Sequence, residues 1–458
     1  MNISLRASLK WVVVCALAVT SLPIASAIHL DLNSDASIKK AAKIVASGMT
    51  AYYTGHLPGD VPGNLPPPYF WWESGAMFGA LIDYWFYTGD STWNKITTQA
   101  LLHQASASNN FMPPNQSRTL GNDDQSFWGM SAMAAAERNF PNPPSDQPQW
   151  LALAQGVFNS QAVRWDTETC NGGLKWQIFR FNNGYNYKNT ISNGCFFSLA
   201  ARLALYTGNQ TYADWAVKAW DWTHRIGLMS PEYKFFDGSD DKLNCSQVNH
   251  MQWTYNAGVY LHGAANMYNY THGDDVWRQR IIGIVKGLQT FFFENTDIMF
   301  ELGCEPQNNC LVDQRSFKAY LARWMAATTQ LAPFTSPMLM PRIRASAVAA
   351  ANACTGGADR QMCGLKWTIG GFDGSTGVGE QMAALEVIQS NLISKVKPPY
   401  TEKSGGTSKG DPSAGGTSRD SSSRELRPIT AADRAGAVFI TLILMAAVVG
   451  GSYFVMSE

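Results

Sequence analysis

The chain has 458 residues carrying 35 basic and 35 acidic side chains, so its formal net charge is zero; 15% of residues are charged and 12% aromatic. Such a balance excludes a strongly charged partner such as nucleic acid, which needs a cationic face. A neutral ligand on which aromatic rings can stack fits better.

Arg6 and Lys10 precede an apolar run from Trp11 to Leu22 that closes on Ala25-Ser26-Ala27, the pattern of a signal peptide over residues 1–27. Apolar residues then recur at helical period in twelve segments: Ala36–Tyr53, Glu73–Tyr87, Ser91–Ser108, Asp123–Glu137, Gln147–Arg164, Thr190–Tyr206, Tyr212–Ile226, Tyr255–Tyr270, Asp275–Phe293, Gln314–Gln330, Pro337–Ala353 and Gly379–Leu392. Strand-like alternation is confined to short pieces such as Leu174–Phe179. An all-α domain over residues 28–398 follows.

Alternate helices differ in texture. Those starting near Glu73, Asp123, Thr190, Tyr255, Gln314 and Gly379 are rich in Ala, Gly, Phe and Met, as buried helices are, whereas Tyr212–Ile226 and its like are amphipathic. A degenerate phrase marks the joints: Tyr87-Thr88-Gly89-Asp90 leads to Trp93, Tyr206-Thr207-Gly208-Asn209 to Tyr212, and His272-Gly273-Asp274 to Trp277. Glycine ends one helix and a short polar side chain starts the next. Six such hairpins closing on themselves make an (α/α)6 barrel, with an inner ring wrapped by an outer one.

Residues 399–423 are mostly Gly, Ser, Thr, Lys and Asp and read as a flexible stalk. The apolar run Gly436–Met456 is long enough to span a bilayer. Yet Arg424, Arg427 and Arg434 all precede it and nothing basic follows, which disfavours a permanent span. Ser421, Ser422 and Ser423, a polar spacer and the apolar tail fit a glycosylphosphatidylinositol (GPI) attachment signal over 424–458. The expected destination is the outer face of the plasma membrane or the cell wall. Sequons at Asn115, Asn209, Asn244 and Asn269 suit the secretory route. Past the leader the cysteines are odd in number. Cys304/Cys310 and Cys354/Cys363 read as local disulfides, and Cys195, inside an inner helix, as the unpaired thiol. No histidine pair has ligand spacing, so neither metal nor cofactor is expected.

In a closed ring, the connections entering the inner helices converge at one end. They carry Tyr69 to Glu73, Asn122 to Gln125, then Trp176, Asn189 and Asn193, then Gln252, Trp253, Tyr255 and Asn256, then Asp373 and Glu380. Aromatic rings for sugar faces, amides for hydroxyls and a few carboxylates suit a carbohydrate cleft. Within it, Asp123 and Asp124 fall in the first turn of an apolar helix. Two readings stand side by side. Asn122 as N-cap with Gln125 three residues on resembles a capping box, in which acidic residues merely answer the helix dipole. Equally, one ionised and one protonated carboxyl is what retaining glycoside cleavage requires, with the two groups about 5 Å apart.

The run Gly121-Asn122-Asp123-Asp124-Gln125-Ser126-Phe127-Trp128-Gly129, with Tyr69–Met77 before it and Asn171-Gly172-Gly173-Leu174-Lys175-Trp176-Gln177 after it, resembles glycoside hydrolase family 76, in its fungal GPI-anchored branch of mannan endo-1,6-α-mannosidases of cell-wall assembly. The resemblance implies an (α/α)6 barrel and a retaining mechanism with Asp123 as nucleophile and Asp124 as acid/base. It implies sugar-binding roles for Trp72, Glu73, Asn122, Gln125, Trp128, Trp176, Asn193, Tyr255, Asn256 and Glu380. The donor would be an α-1,6-mannose oligosaccharide or GPI-core glycan, the acceptor water or cell-wall glucan, and the membrane would be reached through the lipid anchor. A non-catalytic mannan-binding scaffold is the alternative, and another (α/α)6 activity, such as β-glucan cleavage or unsaturated uronide hydrolysis, a third.

Overall fold

A computed structural model describes residues 28–416 and 430–457. The expected signal peptide and the serines Ser421 to Ser423 lie outside the described residues. All twelve expected helices are present: α1 (Asp35–Thr50), α2 (Trp71–Thr88), α3 (Asn94–Gln104), α4 (Asn122–Glu137), α5 (Trp150–Val163), α6 (Thr190–Thr207), α7 (Gln210–Arg225), α8 (Thr254–Tyr270), α9 (Asp275–Gly287), α10 (Phe317–Leu331), α11 (Ser336–Asn352) and α12 (Val378–Gln389). The even-numbered helices pack in sequence, α2 on α4 and so on round to α12, which closes on α2. The odd-numbered helices wrap them, completing an (α/α)6 barrel.

Burial explains the difference in texture. Every residue of α12 is buried, whereas α7 buries only one face, with Tyr212, Ala213, Ala216, Ala219, Trp220 and Thr223 at spacings of three and four. Gly89 and Gly208 take left-handed conformations (φ 76° and 70°) and stop α2 and α6, as the recurring phrase suggests. Asn209 then caps α7 and Asp274 caps α9.

The lower half of the barrel axis is plugged by ions rather than hydrocarbon. Arg323 (α10) pairs with Asp83 (α2) and Glu386 (α12), each at 2.8 Å. Arg138, just past α4, also pairs with Asp83, and Arg202 (α6) grips Glu137 (α4) through two hydrogen bonds of 2.9 and 2.6 Å. His262 (α8) is buried in the same space. Burial and the neighbouring guanidinium groups push its pKa down and keep the ring neutral.

Several expectations need correcting. Leu174–Phe179 is no strand; its backbone makes one isolated bridge, Gln177 to Gly121. The small sheet is built elsewhere, from β1 (Tyr187–Asn189), β2 (Gly238–Asp240) and β3 (Val248–Asn249), all antiparallel. The helix expected over Ser91–Ser108 ends at Gln104, and Ser106 and Asn109 adopt positive φ in the turn that follows.

The larger correction concerns the stalk. Residues 400–416, expected to be flexible, lie against the barrel as a strap. Tyr400 N–H donates to Glu137 O (2.7 Å), Glu402 N–H to Leu205 O (3.0 Å), and Gly415 N–H to Ser108 O (2.9 Å). Backbone hydrogen bonds hold most of it, with the small side chains of Ser408 and Ala414 buried against the wall, so its lack of large apolar residues is no obstacle.

Cys304–Cys310 and Cys354–Cys363 are bridged as expected, and Cys195 is free and buried. A third bridge, Cys170–Cys245, ties two cleft connections 75 residues apart in sequence. Of the sequons, Asn115, Asn209 and Asn244 are exposed and Asn269 is half-buried. Helix α13 (Ala431–Met456) contains the apolar stretch Arg434–Tyr453, long and apolar enough to cross a membrane.

Candidate active site

The connections entering the inner helices surround a cavity of about 260 Å³ lined by Trp72, Asp123, Asp124, Phe127, Trp176, Tyr187, Asn189, Asp237, Trp253, Tyr255, Asp313, Gln314 and Phe317. Its floor is the first turn of α4. Gly121, not Asn122, is the N-cap (φ −94°, ψ 165°), so Asp124 rather than Gln125 falls at the third helical position. There one Asp124 oxygen accepts the Gly121 N–H at 2.7 Å. The capping and catalytic readings therefore share a residue: Asp124 answers the helix end while lining the cleft.

Asp123 is 7% exposed. One of its oxygens accepts the Asp124 N–H (3.0 Å) and the other the Asn189 side-chain amide (3.0 Å). Burial raises its pKa to about 6 against these stabilising donors. Asp124 has fewer donors. Burial, then the negative charge of Asp123 and that of Asp313, push its pKa well up. The two adjacent carboxyls thus stand in unequal environments: the donors on Asp123 favour its charged form, while burial and the neighbouring negative charges favour the neutral form of Asp124.

Aromatic rings form the walls. Trp72 packs on Phe127 (centroids 4.6 Å apart) and Tyr255 stacks on Phe317 (3.9 Å, 12°). Across the cleft, Asp237 accepts hydrogen bonds from Tyr187 Oη (2.6 Å) and Trp253 Nε1 (3.0 Å), which fixes both rings.

Of the expected sugar-binding side chains, the cleft brings together Trp72, Trp176 and Tyr255 with the Asp pair. The others sit behind it. Asn122 holds the Lys175 carbonyl (2.8 Å) and accepts from Arg164 (2.9 and 2.8 Å), and Gln125 donates to Asn110 O (2.7 Å). Trp128 is core, stacked between Trp71 and Phe111. Asn193 bonds both backbone atoms of Leu174. Glu73 is buried beneath the cleft, accepting the Phe70 N–H (2.8 Å), and Glu380 pairs with Arg315 (3.0 Å). Asn256 is fully buried, and among the described residues neither of its amide atoms has a partner. Asp373 shapes its own turn by accepting from Lys366 and Ser375.

Tyr187, Asp237, Asp313, Gln314, Phe317 and Phe127 complete the cleft without having been singled out. Most come from the long connections, where no period places a side chain. Phe127, one helical turn beyond Asp123, and Gln314 and Phe317, at the start of the inner helix expected over Gln314–Gln330, carried a signal.

Comparison with known proteins agrees with this architecture. The family model for glycosyl hydrolase family 76 matches residues 37–403. A curated mannan endo-1,6-alpha-mannosidase DCW1 of Eremothecium gossypii is 49% identical over 437 residues, covering 94% of this chain and 96% of the relative. A protein of Schizosaccharomyces pombe named as a putative mannan endo-1,6-alpha-mannosidase is 50% identical, covering 87% and 90%. Among solved structures, Dfg5 from Chaetomium thermophilum in complex with glucosamine superposes with a TM-score of 0.81 at 46% identity, covering 84% of this chain and 97% of that one. An α-1,6-mannanase of a Salegentibacter species, solved as an inactive variant with α-1,6-mannotriose, shares the fold at a TM-score of 0.62 and 15% identity, covering 78% and 99%. With its barrel, its cleft and a family match over most of its length, the chain belongs to glycosyl hydrolase family 76 and is a glycoside hydrolase.

Proposed function

We propose that the chain is a retaining endo-α-1,6-mannosidase in which Asp123 is the nucleophile and Asp124 the acid/base. The observation that carries the reading is the unequal environment of two adjacent carboxyls on one cleft floor. Asp123 attacks the anomeric carbon as the glycosidic C–O bond breaks, and Asp124 gives its proton to the departing oxygen. In the second half, Asp124 takes a proton from the incoming hydroxyl, which displaces Asp123. Water as acceptor gives hydrolysis; a sugar hydroxyl gives transfer. Trp72, Trp176 and Tyr255 would stack on mannose rings.

The names of the relatives, and a cavity lining with no Lys or Arg among the described residues, favour neutral α-1,6-mannosides over uronides. A GPI-core glycan as donor and wall glucan as acceptor extend the same reading. So do attachment near Ser421 to Ser423 and a catalytic unit over 28–398.

Separate Asp123→Asn and Asp124→Asn variants test it on α-1,6-mannotetraose and on an aryl α-mannoside with a good leaving group. Both should lose turnover of the natural linkage. Asp124→Asn alone should still release the aryl group in a stoichiometric burst, which needs no proton donor, followed by slow turnover because the second step has lost its base. Parental turnover in both variants refutes the assignment. Stoichiometric binding by the parent without any shorter or longer product would instead favour the scaffold.

A further inference from the structure

The strap has a direction. It leaves the lower end of the barrel, where Glu402 N–H meets Leu205 O at the end of α6 and Thr407 N–H donates to Asn139 beyond α4 (3.0 Å). It then climbs the outer wall of α5. Leu151 N–H, in the first turn of α5, donates to Ser408 Oγ (2.9 Å), Asp411 N–H donates to Gln155 (2.7 Å), and the Asn159 amide holds the Pro412 and Ala414 carbonyls (both 2.9 Å). It finishes at Ser108, in the connection that enters α4; two residues on, Asn110 O accepts from Gln125 in the catalytic helix's first turn. The 14 residues of α5 make a climb of about 21 Å.

The seat is specific. At three strap glycines an added Cβ would press on the wall: Gly406 on Tyr206 Oη, Gly410 on Gln155 Oε1 (2.7 Å), which can swing aside, and Gly415 on the Gly156 carbonyl, which cannot. Only a bare backbone lies flat there.

The chain beyond the strap is short. Ser421 to Ser423 lie five to seven residues past Gly416, a reach of roughly 17–24 Å at full extension. From Tyr400 the same serines would reach roughly three to four times as far. The cleft end also carries exposed apolar side chains, among them Phe70 (51%), Phe181 (60%) and Ile369 (57%). Among the described residues, the opposite end exposes fewer, chiefly Val276 (57%) and Met338 (38%) in the first turns of α9 and α11.

We propose that the strap delivers the C-terminal tether to the cleft rim, so that the rim docks on the lipid bilayer holding the tether and the cleft takes glycans borne by that same surface. Strap and apolar rim act together: one sets which end faces the bilayer, the other gives that end something to bury in the interface. The inference rests on the membrane tether of the function proposed above.

The test uses the full tethered chain in phosphatidylcholine vesicles with an acceptor dye in the lipid. A donor dye is placed through Ile369→Cys at the rim or Thr92→Cys at the opposite end. The other cysteines of the described residues are bridged or buried and leave these positions as the labelled ones. Energy transfer should be several-fold higher from the rim. In the variant Gly406→Val/Gly410→Val/Gly415→Val that difference should vanish. Turnover of a lipid-linked α-1,6-mannoside should then fall on the order of tenfold as effective concentration drops, while turnover of soluble α-1,6-mannotetraose stays parental. Equal transfer from both ends of the parent, or stronger transfer from Thr92→Cys, overturns the proposal. A parent inactive on the soluble substrate refutes the glycosidase reading and leaves the orientation to the dyes.

Discussion

Asn189 holds the ionised partner of the pair, and its removal can be given a size. Its amide nitrogen donates to Asp123 at 3.0 Å while its oxygen caps α6 by accepting the Ser192 N–H at 3.2 Å. Serine is too short to reach Asp123 but is a good N-cap, so Asn189→Ser removes the first contact and preserves the second. A hydrogen bond to a charged group contributes about 1.5–3 kcal/mol, and one pKa unit corresponds to about 1.4 kcal/mol. The Asp123 pKa, about 6 in the parent, should therefore rise by roughly one to two units. The nucleophile must be ionised, so the acidic limb of kcat/KM moves up by the same amount. Well below both limbs the variant should be roughly ten- to a hundredfold slower, and the gap should narrow above pH 8. The assay is a pH profile on α-1,6-mannotetraose, with thermal unfolding to show the cap intact. An unmoved acidic limb at unchanged melting temperature would refute the assignment of Asp123 as the group that must ionise.

Two further outcomes concern stability. Burial raises the Glu73 pKa to about 8 from 4.5, so the folded chain holds a proton there that the unfolded chain releases. Its contribution is complete below pH 4.5 and declines as the pH rises to 8; Glu73→Gln should flatten the stability profile across that window in urea titrations, and identical slopes for parent and variant would contradict it. Replacing Cys170 and Cys245 together by Ser opens a loop closed over 75 residues, and the chain-entropy relation gives a loss of about 4.5 kcal/mol. The urea midpoint should fall accordingly, and an unchanged midpoint would show that the bridge constrains nothing.

What could be read from the sequence follows from which forces are periodic. Helix burial repeats every 3.6 residues, so the two rings were legible, and glycine joints such as Gly89 and Gly208 fixed where hairpins turn. The Asp pair was legible because it opens an apolar helix. Asp237 and Asp313 were not, since each sits in a long connection whose path is set by tertiary contacts and, for the first, by the Cys170–Cys245 bridge. The polar side chains that sit behind the cleft share one cause. Glu73, Asn122, Gln125, Asn193 and Asn256 are polar and near helix starts, which marks backbone support as readily as ligand contact. The strap was misread because composition reports the burial of side chains and is blind to a backbone that binds through its own amides.

The ion plug beneath the cleft ties the inner helices to one another in descent as well as in space. Loss of Asp83 would strand the Arg138 guanidinium in a medium of low polarity and leave Arg323 with Glu386 alone, a penalty of about 3–5 kcal/mol for a broken buried pair. A change at any one of Asp83, Arg138, Arg323 and Glu386 thereby unbalances the charge of the others and calls for a matching change on a neighbouring helix.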